Sequence, residues 1–119
     1  MQFLCLVYNE PHFVDGMPEA ERRAFDLENL AHDQEMRDSG HYISSRPLQP
    51  AERAVTVRMR DKKMSATDGP FAETKEHLAG FVLIEARDMD EATRLASGFP
   101  HARFGSIEVR PIYDVPSWE

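Results

Sequence analysis

The sequence predicts an α+β sandwich: one antiparallel sheet with two helices packed on a single face. Three observations carry that prediction. Two segments, Phe3–Tyr8 and Ala79–Ala86, are apolar on both faces and read as central strands. Two amphipathic segments, residues 18–39 and 89–99, have helical spacing. The elements follow in the order strand, helix, strand, strand, strand, helix, strand, which is two split β-α-β units in one short chain.

The elements justify themselves in order. Phe3-Leu4-Cys5-Leu6-Val7-Tyr8 is the first strand. Asn9 to Gly16 holds Pro11, Asp15 and Gly16 and reads as loop. Pro18 suits a first helical turn, and Glu19 and Glu21 favour its positive end. Ala20, Ala24, Leu27, Leu30 and Ala31 mark an apolar stripe, and Gly40 stops the helix after Ser39. His41 to Pro47 is a short strand, followed by a turn to Pro50. In Ala54–Arg60, Val55, Val57 and Met59 alternate with Thr56, Arg58 and Arg60, the pattern of a half-buried strand. Asp61 to Lys63 turns the chain, and Met64–Thr67 forms a short hairpin arm. After the Ala79–Ala86 strand, Asp88 and Glu91 have the spacing of a capping box. Ala92, Leu95, Ala96 and Phe99 then form the inner face of a short helix that Gly98 and Pro100 end. Ser106–Ile112 is the last strand, with Pro111 near its end where a ladder donor can be spared.

This is the βαβββαβ order of a ferredoxin-like sandwich. Two helices cover one face of the sheet, yet both central strands are apolar on both faces. A homodimer joined through the open sheet face is therefore expected.

The 119 residues make one domain, spanning residues 1–119. Hydrophobic residues make up 41% and charged residues 29%, an ordinary globular balance. The net charge of −7, with no basic block longer than Lys62-Lys63, argues against a nucleic-acid partner. The first apolar run is too short to span a membrane and has no basic segment before it, so neither an anchor nor a signal peptide is expected and a cytoplasmic location is the default. Cys5 cannot form an internal disulfide and reads as a buried small hydrophobe. Tyr113 and Trp118 are expected to pin the tail to the body or to a partner subunit.

The run Asp68-Gly69-Pro70-Phe71-Ala72-Glu73-Thr74-Lys75-Glu76 stands out, because turn residues and four charges fall in nine positions between two strands. Two readings stand. Asp68-Gly69 is a turn signal that needs no chemistry. The charges beyond it are either a solvated loop or a lid over a pocket. In the lid reading, Asp68 or Glu73 is the general base, Lys75 or Arg58 holds an anionic substrate, and Phe71 contacts it. Of the five histidines, His12, His32, His41, His77 and His101, none has zinc-ligand spacing, so no metal or cofactor is expected. His32, beside Asp33, is the catalytic candidate on the helix, against the plainer reading of a satisfied helix side chain. Glu108 and Arg110 alternate on one face of the last strand, with Arg58 on the same layer; they read first as cross-strand ion pairing and second as the lining of a cleft.

The nine-residue run resembles the signature of DGPF proteins in the YCII-related group. Ala54-Val55-Thr56-Val57-Arg58, Gly80-Phe81, Glu91-Ala92, Pro100-His101-Ala102, Gly105-Ser106 and Glu108-Val109-Arg110-Pro111 fit it too. The resemblance implies a ferredoxin-like subunit in a dimeric α/β barrel. Some relatives are enzymes acting on small ring-cleavage products, such as dehydrochlorinases, with a His–Asp pair in a cleft. Others resemble accessory proteins of extracytoplasmic-function sigma factors. The relatives' helix histidine has no clear counterpart: by position its place goes either to Asn29 or to His32 one turn away, and Asp68 would supply the aspartate. Two functions are thus expected in competition: binding or turnover of a small anionic compound with acid/base chemistry by Asp68, Glu73 and His32, or an accessory module with a sigma-factor partner.

Overall fold

The computed structural model describes residues 1–118. Strands β1 (Gln2–Asn9), β2 (Tyr42–Pro47), β5 (His77–Glu85) and β6 (Ser106–Pro111) form one antiparallel sheet in the order β2-β5-β1-β6. Between β2 and β5 the chain inserts a separate two-stranded hairpin, β3 (Val55–Arg60) and β4 (Lys63–Asp68). Helices α1 (Glu19–Asp38) and α2 (Met89–Ser97) complete the ferredoxin-like α+β fold. No described helix is long and apolar enough to cross a membrane.

The two doubly apolar segments are the central strands, β1 and β5, as their composition requires. Their pleat sends Phe3, Cys5 and Val7 of β1 and Val82 and Ile84 of β5 to the helix side, where they are buried. Met36 of α1 and Ala92, Ala96 and Phe99 around α2 close the core over them. Burial pushes the Cys5 thiol up to about 11, so it is inert as a nucleophile. Leu4, Leu6, Phe81 and Leu83 alternate to the opposite face and remain half-buried.

Helix ends follow the sequence signals. Gly40, at φ +82°, lets His41 N–H donate to the Met36 carbonyl at 2.8 Å and Gly40 N–H to that of Arg37 at 3.1 Å, a Schellman closure of α1. The Asp88 carboxylate accepts the Glu91 N–H at 2.9 Å, whereas Glu91 reaches back to the N–H of Arg87, one residue beyond the expected partner. The stripe on α1 is a correction. Ala20, Ala24, Leu27, Leu30 and Ala31 are exposed, and Phe25 and Met36 are the residues that enter the interior. The larger side chains fill the gap above the sheet, and the alanine-rich side faces outward.

The predicted half-buried strand is also corrected. β3 has no strand of the main sheet beside it, so Arg58 shares no layer with Glu108 and Arg110. Val55, Val57, Met59 and Met64 are more than half exposed on the hairpin. Alternation reports a strand with one apolar row but does not say what the row meets. The hairpin turns at Asp61-Lys62, both at positive φ as a two-residue primed turn demands. Asp68-Gly69 instead closes its open end: Gly69, at φ +100°, donates to the Ala54 carbonyl at 2.7 Å. The Arg110–Glu108 pair lies along β6 at 3.8 Å on the surface. Tyr113 and Trp118 do not pin the tail to the body; they are 77% and 87% exposed.

Candidate functional site

A cleft of about 670 Å³ lies between α1 and the helix face of the sheet. Val7, Gly80 and Val82 form part of its apolar lining, with Phe25 and Leu30 from α1. Gly80 has no side chain because a Cβ there would stand 2.8 Å from the Arg46 carbonyl of neighbouring β2. Three α1 residues spaced four apart, Phe25, Asn29 and Asp33, face the cleft one turn after another.

Two polar groups stand out in this apolar setting. At one end, Asn9 closes β1. It continues the inward row of Phe3, Cys5 and Val7 and is only 5% exposed. Its side-chain amide donates to His101 Nδ1 at 2.8 Å. His101 sits in the single turn Pro100–Arg103, with its ring edge-on to Phe25 at 4.7 Å between centroids. Burial holds the imidazole below its ordinary value, against the opposing pull of Asp26. Further along α1, Asp33 is half-buried, makes no hydrogen bond or ion pair among the described residues, and has its carboxyl raised by burial against the weaker pulls of Arg37 and His32. Burial thus moves both groups towards neutrality from opposite sides, the carboxyl up and the imidazole down.

The depressed His101 has a consequence for stability. As pH falls from 6.5, the unfolded chain takes up a proton that the buried ring resists. Stability is therefore full above that value and is lost progressively towards the depressed folded value. In urea titrations, His101→Phe should lose less stability than wild type between pH 7 and 5. Equal losses in the two proteins would remove His101 from the acid response.

The sequence-derived candidates lie elsewhere. Asp68 pairs with Val55 at the base of the hairpin and is exposed, as are Arg58 and Glu73. Lys75 is exposed and meets Glu10 at 3.5 Å. His32 packs edge-on against Phe99 at 4.8 Å, and its Nε2 is buried without a partner. Of this set Phe71 lines a second cavity of about 830 Å³, bounded by the signature loop, the start of β3 and Tyr8, and none lines the cleft under α1. No hydrogen bond or ion pair among the described residues joins any two of Asp68, Glu73, His32 and Arg58. Asn9, Asp33 and His101 carried a readable signal only in part. Asn9 is a polar residue continuing an apolar period-two row; the pairing with His101, 92 positions away, has no local trace.

Comparison with known proteins follows the geometry. The YCII-related domain matches residues 1–116. An uncharacterized protein of Rhizobium meliloti (strain 1021) is 32% identical over 114 residues, covering 94% of this chain and 92% of its own length. The structure of the 5-chloro-2-hydroxyhydroquinone dehydrochlorinase of Burkholderia phenoliruptrix AC1100, in complex with 2,5-dihydroxybenzoquinone, superposes with a TM-score of 0.54 at 16% identity, covering 95% of this chain and 94% of that one. That likeness carries the fold. With a domain match over nearly the whole length, and a relative aligned almost end to end, the chain belongs to the YCII-related domain family.

Proposed function

We propose that this protein binds a small organic molecule in the cleft under α1 and carries out proton transfer on it. One observation carries the reading: an apolar cleft of ligand size in which a half-buried, unpartnered Asp33 and a buried Asn9–His101 pair are the distinctive polar groups. The fold neighbour's bound dihydroxybenzoquinone supports it, as a one-ring compound held by a protein of this architecture.

Asp68, Glu73, Arg58 and Lys75 enter this reading only through a dimer. The half-buried outer face with Leu4, Leu6, Phe81 and Leu83 supports a homodimer, and an apolar hairpin projecting from each subunit is suited to reach its partner. In that arrangement, signature-loop charges from one subunit would close over the other. His32 keeps a place as a positioning residue behind Asp33, whose carboxyl it draws down.

The test is amide and side-chain NMR of the full chain titrated with a library of one-ring fragments. Shifts should cluster at Asn9, Asn29, Asp33, Gly80 and His101. Perturbations confined to the hairpin and tail, or none with any fragment, would overturn the cleft and return the accessory-module reading, with a sigma factor as its partner.

A further inference from the structure

Two loops line the cleft: residues 10–15 after β1 and residues 48–52 before β3. Most of their residues are exposed, so the loops form its rim. The first loop is weakly tied to the body. No residue from 10 to 18 is buried. Among the described residues, every backbone hydrogen bond of residues 10–17 stays inside the loop: Phe13 N–H donates to the Glu10 carbonyl, Gly16 to that of His12 and Met17 to that of Val14. Phe13 rests on the rings of Phe25 and Phe104, at 5.9 and 5.1 Å between centroids, a contact that parts without breaking a hydrogen bond. The ion pairs that reach other elements are two, Glu10 to Lys75 and His12 to Glu52, each at 3.5 Å. Exposure and the lack of a backbone anchor are the marks of a segment that opens locally.

His12 joins the two loops, and both of its ring nitrogens meet a carboxylate. Nδ1 stands 3.1 Å from Asp15 in its own loop, and Nε2 stands 3.5 Å from Glu52 in the short turn Ala51–Arg53. A carboxylate only accepts, so both contacts attract only when both nitrogens carry a proton. A neutral imidazole has one N–H. Whichever nitrogen keeps it, one carboxylate faces a bare lone pair, and the contact to Glu52 is the longer of the two. The hydrogen bond with Asp15, followed by the charges of Asp15 and Glu52, raises the imidazole above its ordinary value, against desolvation. Arg22 on α1 and Lys75 on the signature loop act on this group only through Asp15 and Glu10. Falling pH therefore fastens the contact between the loops, and rising pH releases it as the imidazole loses its proton.

We propose that residues 10–16 are a lid on the cleft and that the His12–Glu52 contact is its latch, fastened by protonation of His12. Both side chains are more than half exposed, and an exposed pair is weak, so the latch changes the open population by about two- to fivefold. That is enough to set how often a ring-sized molecule reaches the cleft floor at Val7 and Val82, and little enough for a bound ligand to overrule. The inference rests on the cleft reading above and adds how the site opens. Its test needs no bound ligand, so it stands or falls apart from the fragment mapping.

The probe is 4-hydroxy-TEMPO, an uncharged nitroxide of one-ring size, added to the full chain, with methyl NMR at pH 5.5 and 8.5 as the readout. Val7 and Val82 report on the floor, which they line at 6% and 8% exposure. Fully buried Ile84 reports on general loosening, and Leu4 on the outer sheet face gives the reference. In wild type, paramagnetic relaxation of the Val7 and Val82 methyls should rise about two- to fivefold from pH 5.5 to 8.5, with the midpoint of the His12 imidazole titration. Glu52→Gln, which leaves the His12–Asp15 contact in place, should already show the high value at pH 5.5. His12→Asn, whose side chain tolerates the positive φ of 62° at this position, should show it at both pH values. His101 and Asp33 also titrate with displaced values, but they are common to all three proteins, so the difference between wild type and Glu52→Gln isolates the latch. Equal or smaller relaxation at pH 8.5 in wild type, a Glu52→Gln protein matching wild type at pH 5.5, or a parallel rise at Ile84 overturns the proposal.

Discussion

Gly105→Ala should destabilise the protein by about 3 kcal/mol or more, near the upper end for overpacking. Gly105 lies between the Pro100–Arg103 turn and β6, where the chain crosses directly over the end of β1. A Cβ there would run into the Tyr8 carbonyl oxygen and stand 2.7 Å from Asn9 Oδ1. Neither obstacle can yield cheaply. Tyr8 is held in a strand paired on both sides, and the Asn9 amide is committed to His101. Relief requires β6 to shift away from β1 or the Asn9–His101 pair to break. The damage should thus appear both in the urea midpoint and in the His101 imidazole resonances. A variant within about 0.5 kcal/mol of wild type, the range of ordinary surface changes, would show that this crossing is looser than described.

Phe3→Ala should cost about 3–5 kcal/mol, the range for emptying an aromatic site in a packed core. Phe3 is 1% exposed and belongs to the cluster joining β1 and β5 to Met36, Ala92, Ala96 and Phe99. Helices from both halves of the chain meet there, so no single element can collapse into the void. The matched control is Val57→Ala on the hairpin, 60% exposed, where the expected change is within about 0.5 kcal/mol for a lone subunit. Urea unfolding at two protein concentrations checks both. If Val57→Ala destabilises as much as Phe3→Ala, and does so in a concentration-dependent way, the hairpin is part of a subunit interface. A small effect of Phe3→Ala would mean that the core is not organised around β1.

Much of the fold was legible because local rules and tertiary demands agree. The centrality of β1 and β5 follows from apolar residues on both faces, which only a strand with covered sides can tolerate. The ends of α1 and α2 follow from Gly40 and Asp88, whose preferences are properties of single residues. The hairpin was half legible. Its turn and second arm were read from local residues, but its detachment from the main sheet was not, since strand pairing is a long-range choice.

The candidate site was less legible still. Charges crowded into residues 68–76 drew attention because they are contiguous, yet contiguity in a loop usually means solvent. The groups in the cleft are scattered instead: Asn9 at a strand end, Asp33 on the second half of a helix, and His101 in a short turn. Each looks ordinary within its own segment. The inward pleat of β1 places Asn9 under the helices, and the crossing at Gly105 brings His101 within 2.8 Å of it.

The amino-acid sequence by itself therefore determined the elements, their order, their ends and the two strands that must be central, because period, capping and turn chemistry act over a few residues. Only the tertiary structure decided which helix side faces inward, that β3 and β4 stand apart, and which polar groups share a cleft. Those outcomes depend on contacts between residues far apart in the chain, and on burial, which changes the chemistry of a carboxyl or an imidazole only after the walls around it have assembled.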